Sequence, residues 1–238
     1  MFRYAVLGLI GWACCAAAAL AQQSSIPQQA PPASASPVAS VPSNAAVPMD
    51  ERLPGDHWTV EGRDAIAGTA STATSVVTDI TPTDISVRAN FVRADKSSGE
   101  TFITYDRSWN SIRGGFWQYF PYDGNTGIQT PLTVGKTWSF QFSAVNTQAG
   151  VVWKWSGTSK VVGQETVTTK AGEFETFRIE TTSASTNLKD PTRTEQLIGV
   201  TWFAPALAHW VKRSWILYND NRLRSNNTYE VVEFGRRQ

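Results

Sequence analysis

The chain has 238 residues, with 21 Lys and Arg against 20 Asp and Glu. A chain with so little net charge does not carry the basic surface by which proteins bind nucleic acids. The composition therefore excludes nucleic-acid binding. Both cysteines, Cys14 and Cys15, lie in the predicted signal peptide described next. Their removal excludes a disulfide, a thiolate nucleophile and a Cys-ligated metal in the mature protein.

The first 21 residues have the pattern of a secretory signal peptide. Arg3 supplies the positive charge, positions 5–18 form an apolar run, and positions 19–21 read Ala-Leu-Ala, which signal peptidase accepts. The apolar run is shorter than the roughly 20 residues that a membrane-spanning helix needs. We predict cleavage after Ala21 and a periplasmic or secreted protein that is not transmembrane. A membrane anchor and a lipoprotein modified at Cys14 or Cys15 are the alternatives.

A change of composition marks the next segment. Positions 22–49 are rich in Gln, Ser, Ala and Pro and contain no charged and no aromatic residue. Such a segment buries too little apolar surface to offset the entropy lost on ordering. We predict a disordered spacer over positions 22–50 and a single folded domain over positions 51–238.

Alternation with period two indicates that the domain is all-β. Aromatic and β-branched residues alternate with polar ones, and turn residues recur about every ten positions. The pattern predicts one antiparallel domain of about ten to twelve strands, built as a curved sheet, a half-barrel or a barrel. The strands that can be named cover positions 57–64, 85–91, 101–107, 138–142, 151–155, 161–168, 174–181, 197–203, 209–218 and 228–234.

Tryptophan is abundant, and nine of the ten tryptophans lie beyond the predicted signal peptide. Most large aromatic side chains form protein cores, because each buries a large apolar area. Some can instead line an apolar cavity, which is the usual form of a ligand site. The candidates for such a lining are Trp153, Trp155, Trp202, Trp210 and Trp215.

Four short stretches resemble a known family. They read PLTVGKTW at 131–138, VVGQE at 161–165, AGEFETFRIE at 171–180, and WFAP at 202–205 followed by Val211 and Lys212. In this order and spacing they resemble the TapB-like family of exported bacterial β domains of unknown function, over positions 131–215. The resemblance implies an all-β, curved-sheet or half-open barrel domain at the cell envelope, with no established activity. The family often has glycines where this chain reads ALAHW at 206–210.

No catalytic or metal motif is present. The two histidines, His57 and His209, are far apart in the sequence, so only the fold could bring them together as a metal site. There is no Gly-x-Ser-x-Gly elbow, and pairing of His209 with Asp190 or Asp220 would still lack an identified nucleophile. Two acidic residues beside a turn, at positions 173 and 175, are more typical of a solvated pair than of a glycosidase site. We expect no metal, no cofactor and no catalytic residue.

Three functions remain open. The first is a non-catalytic module that binds an apolar ligand, such as a lipid, or a peptide. The second is a structural or assembly factor of the envelope that docks a protein partner by a sheet edge. The third is a hydrolase without a recognisable motif. The oligomeric state is left open.

Overall fold

The computed structural model describes residues 52–122 and 125–236. The predicted signal peptide and spacer lie outside these residues. The described residues form twelve strands and a short 3₁₀ turn at Pro205–Leu207. The strands are β1 (His57–Asp64), β2 (Thr69–Ile80), β3 (Asp84–Val92), β4 (Ser98–Asp106), β5 (Ser111–Gly114), β6 (Trp117–Pro121), β7 (Thr137–Asn146), β8 (Val151–Thr169), β9 (Gly172–Asn187), β10 (Thr194–Ala204), β11 (His209–Asn219) and β12 (Arg222–Gly235).

The strands close into a barrel. Each strand pairs antiparallel with the next one in the chain, and β1 pairs with β12 to complete the circle. The predicted all-β class is confirmed, and the barrel is the form adopted. Pairing of β4 with β5 reaches only Ile103–Tyr105 of β4. Among the described residues, positions 98–102 of β4 therefore pair with β3 alone.

Simple alternation builds most of the wall, and β3 shows it most clearly. Ile85, Val87, Ala89 and Phe91 are buried, whereas the residues between them are half-buried or exposed. Successive side chains of a strand point to opposite faces, so this pattern directs the apolar set into the barrel.

Two predicted strands, 151–155 and 161–168, are one continuous strand, β8. The register against β9 shifts between Val161 and Gly163, so the extra residue Val162 is absorbed as a bulge without ending the strand. The prediction of two separate strands here was wrong because positions 156–160, SGTSK, are small or polar and resemble a turn, although they pair in regular register with β9.

The core fills the barrel unevenly. We call the rim where β1, β3 and β11 begin the lower end, and the opposite rim the upper end. In the lower half, a cluster that includes Trp58, Val77, Trp109, Val161 and Phe203 forms the core. Near the upper end, a separate cluster contains Ala144, Trp153, Trp155 and Leu217. The two clusters leave space between them and beside β2–β5.

Candidate functional site

The barrel interior contains a cavity of about 120 Å³, which we call the central cavity. Protein interiors are ordinarily close-packed. The cavity exists here because several inward-facing side chains are small. One wall, on β2–β5, carries small residues: Ala73, Ser75, Ala89, Thr101, Ser111 and Gly114. Larger rings line the rest of the cavity, Trp58, Tyr119, Trp210 and Tyr229 from β1, β6, β11 and β12, while Phe91 and Tyr105 stand among the small residues on β3 and β4.

Arg213 of β11 brings a cation to this cavity. Its Cα pairs with those of Thr201 on β10 and Tyr229 on β12. The same side chain borders a lower cavity of about 200 Å³. Its guanidinium carbon lies 4.8 Å from the centre of the Trp210 ring. Its Nε is buried without a hydrogen-bond partner, and no described residue forms a salt bridge with it.

The electrostatics of Arg213 follow from its enclosure. Burial lowers the pKa of Arg213 to about 10, opposed by Tyr105, so the group is still a cation at neutral pH. Protein surrounds the Arg213 side chain, yet part of its surface is accessible. That accessible part faces the two cavities it borders. An enclosed charge without a counter-charge is costly. The arrangement therefore favours an anion beside Arg213.

A bulge explains how Trp210 and Arg213 come to face the same interior. Trp210 pairs with Phe203, and Lys212 pairs with Trp202, so Val211 has no partner on β10. Without the bulge, strict alternation would put positions 210 and 213 on opposite faces.

A third space, the mouth cavity, lies at the upper end and measures about 400 Å³. It shares Tyr229 with the central cavity. A Cβ atom on Gly62 would lie 2.8 Å from the Tyr229 ring, so glycine lets this ring lie against β1. Burial, with Asp64 acting in the same direction, raises the pKa of Tyr229 to about 12. Its hydroxyl therefore stays protonated and able to donate a hydrogen bond.

A second buried arginine, Arg52, closes the lower end. Its Nη2 donates to the carbonyl oxygen of Leu207 at 2.6 Å, and its Nη1 lies 4.0 Å from a carboxylate oxygen of Asp56. Its guanidinium carbon is 4.8 Å from the centre of the Phe234 ring. Its Nε and Nη1 are buried without a hydrogen bond, but, unlike Arg213, this arginine has a carbonyl acceptor and a nearby carboxylate.

His209 belongs to the same closure. Its ring centre lies 4.7 Å from those of both Trp58 and Trp109, and the side chain is 2% exposed. Its Nδ1 donates to the carbonyl oxygen of Trp210 at 2.6 Å. Burial, followed by the nearby cations Arg52 and Arg213, holds the pKa of His209 well below its usual range. The ring is a neutral packing element.

The structure separates the tryptophans that the sequence grouped as ligand-binding candidates. Trp210 lines the central cavity, and the ring centre of Trp215 is 5.2 Å from that of Tyr229. Trp202 lies on the outer face, where its indole N–H donates to Glu165.

The remaining two candidates are core residues. Trp153 and Trp155 are 6% and 2% exposed and belong to the cluster near the upper end. Trp155 stacks on Phe142 with 6.1 Å between ring centres. Ligand contact by these five tryptophans stays a prediction, and the cavity geometry favours Trp210 among them.

The residues weighed for catalysis do not form a constellation. His209 begins β11 at the lower end, whereas Asp220 follows the other end of that strand and Asp190 follows β9 at the upper end. Glu173 and Glu175 are exposed on β9, and Glu175 accepts a hydrogen bond from Thr166 at 2.6 Å.

Within residues 52–122 and 125–236, no group of three or more His, Cys, Asp or Glu side chains is placed to hold a metal ion. The same residues contain no helix that is long and apolar enough to cross a membrane.

Arg213 and Tyr229 were not among the site residues predicted from the sequence. A usable signal was present, since Arg213 alternates with Trp215 and Leu217 along one strand, and an arginine in register with apolar residues is unusual. Gly62, which admits the Tyr229 ring, gave no signal, because its role depends on a neighbouring strand that is distant in the sequence.

Comparison with known proteins identifies no family. No family model matches the chain, and no curated protein gives a significant match. The resemblance to the TapB-like family is therefore still a prediction.

Three of the solved structures that resemble this chain are the following. A candidate lipoprotein from Parabacteroides distasonis has 14% identity and a TM-score of 0.49, covering 79% of this chain and 97% of its own. An exported protein with a YmcC-like fold from Bacteroides fragilis has 15% identity and a TM-score of 0.47, covering 77% and 97%. The hypothetical lipoprotein YmcC from Escherichia coli has 12% identity and a TM-score of 0.44, covering 76% and 85%. At these values, nothing about the activity or location of this chain follows from the likeness.

Proposed function

We propose that this chain is an exported, non-catalytic envelope protein whose barrel binds a small apolar ligand in its interior. The observation that carries the proposal is the central cavity, which small side chains on β2–β5 leave open and which aromatic rings line. Export is supported by the signal-peptide pattern of positions 1–21.

The size of the cavity sets the size of the ligand. At about 120 Å³, it is comparable to the engineered cavity of roughly 150 Å³ that holds benzene. A longer ligand extends past Tyr229 into the mouth cavity of about 400 Å³. Together these spaces suit an elongated molecule that enters at the upper end and places its apolar part in the central cavity.

The test uses a matched pair of variants and the neutral fluorescent probe N-phenyl-1-naphthylamine, whose three aromatic rings need both the central cavity and the mouth cavity. Ala89 lines the central cavity, and the adjacent Asn90 is exposed on the outer face. Ala89→Leu fills the cavity, whereas Asn90→Leu adds the same side chain outside. We expect saturable binding to the wild type and to Asn90→Leu, with strong loss in Ala89→Leu. Absence of binding to the wild type, or equal binding to both variants, would overturn the proposal.

A second function, docking of a protein partner, is favoured by one observation. Positions 98–102 of β4 pair only with β3 among the described residues, and Phe102 in this segment is 63% exposed. Such an edge can accept an added strand. A photo-crosslinking residue at position 102 would then capture a specific partner in cells. The same residue at position 198 is the control, because Ile198 is 48% exposed on a strand that is paired on both sides there. Equal capture at both positions would argue against edge docking.

A further inference from the structure

We propose that Arg213 binds the carboxylate of an amphiphilic ligand, a fatty-acid-type monocarboxylate, whose apolar chain occupies the central cavity. This inference rests on the proposed function and adds the chemical class of the ligand. It follows from the unpaired cation, the polar groups around it and the shape of the space next to it.

Two buried arginines of the same barrel differ in their partners. For both, burial lowers the pKa to about 10. Arg52 has a carbonyl acceptor at 2.6 Å and the Asp56 carboxylate at 4.0 Å. The Nε atoms of both arginines are buried without a hydrogen bond, as is Nη1 of Arg52. The difference is that Arg213 has neither a carbonyl acceptor nor a carboxylate among the described residues, and only the Trp210 ring lies against it, at 4.8 Å. Arg52 is explained by the protein around it, whereas Arg213 calls for an anion that the described residues do not supply.

Polar groups share the central cavity with Arg213. The central cavity is also lined by Tyr105, Ser111 and Tyr229, each with a hydroxyl group. Burial raises the pKa of Tyr105 to about 12, so its hydroxyl is a donor throughout the neutral range. A carboxylate accepts several hydrogen bonds, and a guanidinium can donate two to it in parallel. Arg213 and these hydroxyls therefore match a carboxylate.

The charge of the cavity lining limits the charge of the ligand. A single arginine balances the single charge of a carboxylate, whereas a phosphate monoester carries more negative charge at neutral pH. Within the described lining of the central cavity, Arg213 is the only Lys or Arg. A monocarboxylate thus gives a neutral site, and a doubly charged phosphate would leave an enclosed negative charge uncompensated.

The cavities beside Arg213 offer space for the apolar chain of the ligand. Arg213 shares the central cavity with the small side chains Ala73 and Ala89. Tyr229, the cross-strand partner of Arg213, also lines the mouth cavity. A chain held by its carboxylate at Arg213 can therefore run through the central cavity toward the upper end, with its apolar surface removed from water.

The test compares two ligands of equal chain length, dodecanoate and 1-dodecanol, as competitors of bound N-phenyl-1-naphthylamine. Wild-type protein should bind dodecanoate about 10- to 100-fold more tightly than the alcohol, as expected for a charge-assisted hydrogen bond formed out of water. Arg213→Met should still bind the neutral probe and should lose the preference for the acid. Arg213→Lys should retain part of it, since the charge remains but the paired donors do not.

Lys212→Met is the matched control. It removes one positive charge from the adjacent position, where Lys212 lies outside the barrel near Trp202, and should leave the preference unchanged. Arg213→Gln provides a second variant should Arg213→Met fail to fold. Equal affinity of the wild type for the acid and the alcohol would overturn the inference, as would equal loss in Lys212→Met. In either case, binding of the neutral probe would leave the proposed function standing, and failure of the probe to bind would remove both.

Discussion

The guanidinium carbon of Arg213 lies 4.8 Å from the centre of the Trp210 ring, although the two residues are three positions apart on β11. They meet because Val211 is bulged out of the pairing with β10. The contact gives the cation a partial partner, since the face of an aromatic ring attracts positive charge. The ring does not supply a counter-charge. The remaining cost of enclosing the Arg213 charge should lower the stability of the empty barrel, and an anionic ligand would offset that cost.

Replacing Arg213 should stabilise the empty protein. Arg213→Met keeps the length of the side chain and removes an enclosed charge. We expect the free energy of unfolding to rise by about 1–2 kcal/mol, the lower part of the range seen when apolar residues replace buried ionic groups. Urea denaturation of ligand-free protein at pH 7 measures this change, with Lys212→Met as the surface control. A loss of stability in Arg213→Met would show that Arg213 has a structural partner.

Much of the barrel wall could be predicted from alternation alone. The predicted strand 209–218 corresponds to β11, His209–Asn219. The orientation of Arg213 relative to Trp210 could not be predicted, because a bulge is a property of the pairing with another strand and the sequence does not mark it. Closure was equally hidden, since pairing of β1 with β12 joins segments from the two ends of the domain.

Strand β2, Thr69–Ile80, was missed for a different reason. Its sequence, TASTATSVVTDI, is mostly Thr, Ser and Ala, so the contrast between inward and outward positions is weak. The same small side chains leave the central cavity open at Ala73 and Ser75. The feature that obscured the strand in the sequence therefore creates the candidate site.

Tryptophan substitutions should separate the cavity from the outer face. Trp210→Ala removes a ring that lines the central cavity, and we expect about 10-fold weaker binding of N-phenyl-1-naphthylamine from the lost apolar contact. Trp202→Ala removes a ring packed outside the barrel beside Val167 and Phe174, and should leave the affinity unchanged. Fluorescence titration of both variants measures this difference. Equal weakening in both would indicate a loss of folded structure instead of a loss of contact.

Glycine at position 157 should be required for packing. A Cβ atom there would lie 2.5 Å from the Phe140 ring and 2.7 Å from the carbonyl oxygen of Thr182, and the backbone oxygen has little freedom to move. We expect Gly157→Ala to cost about 1–3 kcal/mol of unfolding free energy, the usual cost of overpacking. Gly163→Ala, on the same strand with no atom within 4 Å of the added Cβ, is the control. Thermal and urea denaturation compare them, and equal stability of the two variants would contradict the packing argument.

Acid should destabilise the barrel through His209. Burial, then Arg52 and Arg213, hold the pKa of His209 well below its usual range, whereas the unfolded chain has a histidine pKa of about 6.5. Below that pH, the histidine of the unfolded chain binds a proton whereas His209 of the folded chain stays neutral. The His209 contribution to the free energy of unfolding is therefore fully present above about pH 6.5 and is lost as the pH falls. The loss approaches about 1.4 kcal/mol per pH unit until the folded-state pKa is reached.

His209→Gln removes this proton uptake and should flatten the dependence of unfolding free energy on pH between about 6.5 and 5. Urea denaturation of wild type and variant at a series of pH values measures the two slopes. Proton NMR of the His209 ring gives an independent reading, since the C2 proton should keep its neutral-form shift well below pH 6.5. Parallel slopes, or a His209 signal that titrates near 6.5, would show that the aromatic enclosure by Trp58 and Trp109 does not exclude the charged ring.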